Sequence, residues 1–307
     1  MPRGRDDGRR PAVECNKNMG STEDADMLAL IAAAPELATP DDTEIFLAAM
    51  PVAELASMWS ALQRLSRRDQ TGAAWSAILY FDHLPHKRPD RAFDLALEVL
   101  RSESDKPTVM QLNDKFMLSL LYAHGAAAIG RIETEAKQNA GLRWLLGGFH
   151  FGPDEPFKRR IEAMADSKGW RADDLARRTP KHPLDCEAMP VAELARARVE
   201  QYSKSERDRD DNFFAMMDYE RDLREEYPDK AIDLIVEMLK IETNPVMLSL
   251  LAAGPLEDVI SMETIDRIER EASVNERFHE LLGGVWYYRA PDELKARLDA
   301  LVGQNRW

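Results

Sequence analysis

Ala49-Met50-Pro51-Val52-Ala53-Glu54-Leu55-Ala56 recurs letter for letter as Ala188-Met189-Pro190-Val191-Ala192-Glu193-Leu194-Ala195. Pro89-Asp90-Arg91-Ala92 with Asp94, Leu95, Glu98 and Leu100 returns as Pro228-Asp229-Lys230-Ala231 with Asp233, Leu234, Glu237 and Leu239. Both matches are offset by 139 residues, so this part of the two copies runs without a gap. The echo goes on with Met117-Leu118-Ser119-Leu120-Leu121 against Met247-Leu248-Ser249-Leu250-Leu251, Arg131-Ile132-Glu133 against Arg267-Ile268-Glu269, and Leu145-Leu146-Gly147-Gly148 against Leu281-Leu282-Gly283-Gly284. Matching these pieces gives copy one about nine extra residues in Ser102 to Phe116, and copy two about six extra in Gly254 to Ser261. A repeat that keeps its apolar and helix-start positions while its polar faces diverge is a scaffold.

Both copies read as helices. Thr39-Pro40-Asp41-Asp42 has the pattern of a cap with proline in the first turn, and it opens a helix through Ile45, Phe46 and Leu47. The same proline-plus-acid signal stands at Pro51 with Glu54, Pro89 with Asp90, Pro153 with Asp154, Pro190 with Glu193, Pro228 with Asp229, Pro255 with Glu257 and Pro291 with Asp292. Proline lacks an N–H that a first turn leaves unpaired in any case, and an acid there complements the helix dipole. Apolar residues keep helical spacing, as in Leu55, Met58, Trp59, Leu62 and Leu65, or Phe278, Leu281, Leu282, Val285 and Trp286. No stretch alternates like a strand, so the fold class is all-α, a tandem duplication of a multi-helix unit. The expected layout is a disordered tail over 1–22, with Met1 and Met19 both open as the start. A helical extension follows over 23–48, then repeat one over 49–166, a linker over 167–188 holding a short helix around Asp173 to Arg178, and repeat two over 189–307.

Composition narrows the partners. Of 307 residues 44% are hydrophobic and 31% charged, which is globular usage. The formal net charge of −14 repels nucleic acid, whose affinity for proteins comes from clustered Lys and Arg, and it favours a basic protein as partner. Cys15 and Cys186 build neither a disulfide framework nor a thiolate metal site, which suits a reducing cytoplasm. The apolar run Met27 to Ala34 is short and follows acidic residues, unlike a secretory signal, and no run approaches the ~20 residues of a membrane span.

Copy two contains Ala252-Ala253-Gly254-Pro255-Leu256-Glu257-Asp258-Val259-Ile260, then Arg267-Ile268-Glu269-Arg270-Glu271-Ala272, then Phe278 with Leu281-Leu282-Gly283-Gly284-Val285-Trp286. This succession, from about Met189 to Leu301, resembles a family of small helical bacterial domains of unknown function, family 6869. Copy one looks like a degenerate member, with Ala126-Ala127-Ala128 in place of Pro-Leu-Glu-Asp and Phe149-His150 in place of Val285-Trp286. The resemblance implies the fold and carries no mechanism.

The candidate binding residues are Glu257, Asp258, Trp286, Tyr287 and Tyr288. Two carboxylates after Gly254-Pro255 suit acid–base work or a cation; the simpler reading is that Pro255 opens a helix whose dipole they complement. Trp286 continues the apolar stripe and is expected in the core, while Tyr287 and Tyr288 cannot both share its face. The Gly-Gly pairs sit in apolar stripes, which favours close helix approach over a hinge. His83 and His86 carry ligand-type rings, but Pro85 interrupts the helix that would align them, so neither metal nor cofactor is expected. The acidic run from Glu206 to Glu226 is interleaved with arginines and reads as a solvated face of ion pairs. Arg198 stands where copy one has Trp59, and Phe214 where it has Trp75; the first change implies that this helix face of copy two is exposed or touches something polar.

No serine elbow, phosphate loop, dinucleotide glycine pattern or His-Glu-x-x-His helix is present. A non-catalytic protein-interaction module therefore leads, with immunity or antitoxin action against a basic toxin as its narrow form. An enzyme with a carboxylate site in repeat two and a structural or oligomerising module stay open.

Overall fold

The computed structural model describes residues 40–70, 72–152 and 155–303. The expected tail over 1–22, the extension up to residue 39 and the Pro153-Asp154 start lie outside them. Among the described residues there is no strand, and no helix is long and apolar enough to cross a membrane.

After α1 (Pro40–Ala49), unit one runs α2 (Val52–Arg64), a 3-10 turn (Arg67–Asp69), α3 (Gly72–Lys87) and α4 (Pro89–Ser102). Next come α5 (Lys106–Gln111), a π segment (Leu112–Met117) and α6 (Leu118–Ala136) in one continuous run, then α7 (Ala140–Leu146) and α8 (Lys158–Met164). A further helix, α9 (Ser167–Arg178), leads to unit two. There α10 (Val191–Ser203), a 3-10 turn (Glu206–Asp208), α11 (Asp211–Glu226) and α12 (Pro228–Ile241) repeat the order at the same 139-residue offset. The unit closes with α13 (Pro245–Leu251), a π segment (Ala252–Leu256) and α14 (Glu257–Val259), then α15 (Ile265–Val274), α16 (Glu276–Leu282) and α17 (Asp292–Val302).

The start signals hold at Pro89 and Pro228, which occupy the first turns of α4 and α12. Pro51, Pro190 and Pro291 stand one residue earlier, as caps. In α4 the apolar Ala92, Phe93, Leu95, Ala96 and Val99 fall on one buried face, which packs against α2. Pro85, expected to interrupt its helix, lies inside the last turn of α3.

The caps correct the register of the repeat. Asp105 accepts from the Thr108 N–H at 3.1 Å and Asn244 from the Met247 N–H at 3.2 Å. Glu103 accepts from the Asp105 N–H and Glu242 from the Asn244 N–H, at 2.8 and 2.9 Å. Each pair keeps the 139 offset, and the two π segments overlap under it, so the nine-residue insertion expected at Ser102 to Phe116 does not exist. The identical Met-Leu-Ser-Leu-Leu strings sit in different turns: Thr108 to Leu112 is the true counterpart of Met247 to Leu251. The copies diverge later. Unit one continues as helix through α6 while unit two breaks over 260–264, and the offset falls to 136 by Arg131 and Arg267, in place of the six-residue excess expected in copy two.

The repeated Arg-Ile-Glu is a clamp. Arg131 pairs with Asp94 and Asp90 of α4, and Arg267 pairs with Asp233 of α12 at 2.7 Å. Ile132 and Ile268 are fully buried. Glu133 takes both ends of the Arg160 guanidinium at 2.7 and 2.6 Å, and Glu269 does the same for Arg297 at 2.8 and 2.6 Å. Three adjacent residues thus fix three helices of each unit.

Each unit has its own hydrophobic core, and their junction is reciprocal. The Arg67–Asp69 turn packs on α13 and α10, while the equivalent Glu206–Asp208 turn packs on α5 and α2. Such mutual contacts define a two-fold relation, in which equivalent residues meet on the axis. There Arg67 pairs with its own counterpart Glu206 at 3.1 Å. Flanking it, Arg68 donates to both oxygens of Glu242 at 2.9 and 2.7 Å, and Arg207 donates to Asp105 at 2.9 Å.

The boundary expected at residue 166 moves. Ser167 opens α9, whose Trp170 is buried in the core of unit one with its ring 4.9 Å from that of Trp144. At the other end of α9, Arg177 donates to the Arg209 carbonyl and Arg178 to Asp211, each at 2.9 Å. The presumed linker is a strap held by both units.

Gly147-Gly148 serves close approach, as expected. A Cβ on Gly147 would lie 2.5 Å from the Asp166 carbonyl oxygen, and one on Gly148 2.4 Å from the Trp170 ring. Gly147→Ala is expected to cost about 1–3 kcal/mol of stability by overpacking against backbone. Gly254→Ala, whose Cβ would meet nothing within 4 Å, should leave stability unchanged or raise it by up to ~1 kcal/mol. Urea midpoints of the two variants test the contrast.

Candidate functional site

The carboxylates singled out in sequence do not stand at a helix start. Asn244 and Pro245 open the helix instead, and Pro255 lies inside the π segment, where a widened turn tolerates the missing N–H. Glu257 and Asp258 therefore occupy the last turn before Ile260, at the negative end of the dipole, and local partners hold them. Glu257 accepts the backbone N–H of Trp286 at 3.3 Å, and Asp258 pairs with Arg224 at 3.3 Å.

Trp286 is 70% exposed, not in the core. Helix α16 ends at Leu282 and Gly283-Gly284 turns the chain, so Val285 is buried and Tyr287 packs on the core, with its hydroxyl donating to Asp299 at 2.9 Å. Trp286 and Tyr288 point outward. The structure brings Glu257 to Trp286 and sends Asp258, Tyr287 and Tyr288 to separate neighbours. Two cavities, one at the junction of the units and one beside Tyr80 and His83, are lined by none of the five.

The larger, of about 290 Å³, opens at the junction of the units. Its floor is Trp59 and Leu62 of α2, Phe81 of α3 and Phe116 of the π segment, all buried, with Trp59 edge-on to Phe116 at 6.4 Å between centroids. Around the rim stand the half-exposed Trp75, Ile78 and Asp82 of α3, with Gln63, Gln70, Gln111 and Arg67. Unit two contributes Glu206, Val246 and Leu250. Gln63, Gln70 and Gln111 each donate their amide N–H to a carbonyl of their own segment, at 3.4 to 3.5 Å. The Nε of Arg67 is buried without an acceptor. Among the described residues no group of three or more His, Cys, Asp or Glu is arranged to hold a metal.

The equivalent positions in unit two hold a buried polar cluster. Under the 139 offset Trp59 becomes Arg198, Phe81 becomes Glu220 and Gln63 becomes Tyr202. Arg198 is 2% exposed, and its Nε donates to Glu220 at 2.9 Å. The Tyr202 hydroxyl donates to the other Glu220 oxygen at 3.2 Å, and the guanidinium lies 3.5 Å from the Tyr202 ring. Burial, reinforced by the Glu220 charge, pushes the Tyr202 hydroxyl up to about 12. So the Arg198 face touches something polar, and it is buried. The expectation of a solvated face from Glu206 to Glu226 fails for Glu220, which is in the interior, and for Arg207, which holds the other unit. The legible signal was the paired exchange of Trp59 with Arg198 and Phe81 with Glu220 across the offset.

A family model described as "Family of unknown function (DUF6869)" matches residues 63–169 and 202–305, together more than half of the chain. Both copies match, the one read as degenerate included. The matches begin 139 residues apart and leave out most of α2 and, equally, most of α10, so Trp59 and Arg198 lie outside them. No curated protein and no solved structure matches the chain.

Removing one partner of a buried ion pair strands a charge, so Arg198→Leu is expected to cost about 3–5 kcal/mol, whereas Arg198→Trp with Glu220→Phe should return to within about 1 kcal/mol of the parent. Urea titrations read both. Because the folded hydroxyl of Tyr202 sits above its unfolded value, its contribution is complete below pH ~10 and is lost as pH rises toward 12. That alkaline decline should shrink in Tyr202→Phe.

Proposed function

We propose that this chain, which belongs to the DUF6869 family of unknown function, acts as a non-catalytic protein-binding module that receives its partner at the junction of its two units. One observation carries the reading. A cavity opens beside Trp59, Phe81 and Phe116 in unit one, while the equivalent positions of unit two hold the buried Arg198–Glu220 pair and Tyr202. The aromatic lining is particular to unit one, and its floor and the exposed Trp75 at its mouth are available for recognition.

The net charge of −14 supports a basic partner, drawn in by long-range attraction. A basic toxin neutralised in an immunity or antitoxin complex is one partner of that kind. The carboxylates of unit two support no chemistry in this reading, since Glu257 and Asp258 serve as ties to Trp286 and Arg224.

A photo-crosslinking amino acid placed at Trp75 in the native host should give one discrete protein adduct, and the same group at the exposed Val274 should give none. Equal labelling from both positions, or none from Trp75, would sink the proposal. An adduct from Trp286 alone would move the interface to the exposed aromatics of unit two.

A further inference from the structure

We infer that unit one carries a second site, a groove between α1 and α3 that takes a phosphoryl group. The groove holds about 220 Å³ and shares no lining residue with the junction cleft, so it stands apart from the binding role proposed above. Tyr80 of α3 gives the first observation. Its side chain lines the groove and is 8% exposed, and its hydroxyl is buried without a hydrogen-bond partner. A donor held in this way is costly unless something outside the chain accepts from it.

The second observation is charge. In a chain of net charge −14, the groove sets Lys87 and Arg88 against one carboxylate, Glu44 of α1, with His83 one helical turn before Lys87. The hydrogen bond from Lys87, and after it the charges of Lys87, Arg88 and His83, hold the Glu44 carboxyl below its ordinary value. The Lys87–Glu44 pair, at 2.8 Å, is about half exposed on both sides, so it contributes little and yields readily to a stronger anion. Arg88, His83 and the half-buried Ser76 have side chains without a partner among the described residues. With Tyr80 they leave a guanidinium, an imidazole and two hydroxyls as donors.

A phosphoryl group answers this surplus. It brings close to two negative charges and three strong acceptor oxygens, and it binds a guanidinium more firmly than a neutral acceptor does. A carboxylate offers less charge and fewer oxygens, and a cation would meet Lys87 and Arg88. The volume lies below the roughly 300 Å³ at which pockets for drug-sized ligands begin, which suits a small anion with Leu79 and Leu84 beside it. Unit two keeps the frame and inverts the charge. Under the 139 offset Tyr80 and Leu84 remain Tyr219 and Leu223, while His83 becomes Asp222, Lys87 becomes Glu226 and Arg88 becomes Tyr227. The cationic set thus belongs to unit one alone.

The test titrates the full chain with propyl phosphate, inorganic phosphate and butyrate, which carries the same propyl group on a carboxylate, at constant pH and ionic strength. NMR follows the ring C–H signals of His83, assigned by their loss in His83→Gln. Both phosphates should shift them, and butyrate should bind at least about tenfold more weakly. Tighter binding of propyl phosphate makes the natural ligand an ester, and tighter binding of inorganic phosphate makes it the free ion. Arg88→Gln should weaken the tighter phosphate by at least about tenfold. Tyr80→Phe should weaken it by about tenfold too, yet leave the urea midpoint unchanged or higher, because that hydroxyl has no protein partner to lose. Equal binding of butyrate, affinity unchanged in both variants, or no shift at His83 from either phosphate would overturn the inference. The crosslinking result at Trp75 decides the protein-binding role separately.

Discussion

Two copies of one unit that meet about a two-fold axis must set one residue of each copy against its own counterpart. If both were arginine or both glutamate, their repulsion would fall at the centre of the contact. Here the copies have diverged to Arg67 and Glu206, and the meeting point is an ion pair. With that pair seated, Arg68 reaches Glu242 and Arg207 reaches Asp105 on either side. These contacts hold the loops that cap α13 and α5, and each of those helices runs into a π segment. The cleft is bounded by the same turn, since Arg67 and Glu206 are both part of its wall.

Divergence at the axis has a parallel at the next layer. Unit two closes its interior with a buried pair that is costly to desolvate, and unit one closes the same space incompletely with aromatic rings. A duplicated fold tolerates both solutions because the clamp formed by Arg-Ile-Glu and the helix caps are kept in each copy. The region free to change is the α2 and α3 face and its counterpart. The rest of the unit is held by contacts common to both copies.

Much of the fold was legible in the sequence, because its signals are local. Proline with a nearby acid marked α4 and α12, and the 139 offset carried the alignment from α2 through α4. Three readings failed for one physical reason: sequence spacing does not show what a side chain meets across space. Pro255 has the grammar of a helix start, yet a widened turn absorbs it. Trp286 continues an apolar stripe on paper, but α16 ends four residues before it and the turn faces it outward. Glu220 sits in a run of charges and looked solvated, although its partner Arg198 waits in the core on another helix. The Met-Leu-Ser-Leu-Leu match misled in a different way, because a short identity does not fix the register, whereas the equivalent cap hydrogen bonds do. The cleft could not be found from either copy alone, since both units build its rim.

The strap formed by α9 changes what kind of assembly this is. Separate chains that met through the same surfaces would come apart on dilution, since their association depends on protein concentration. With Trp170 anchored in one unit and Arg177 and Arg178 in the other, each unit sees its mate at an effective concentration fixed by the covalent connection. A helix held at both ends also leaves little slack for exchanging units between molecules, the usual route by which duplicated proteins form swapped oligomers. The opening at the junction thus keeps its geometry on dilution, where a reversible dimer would spend much of its time without one.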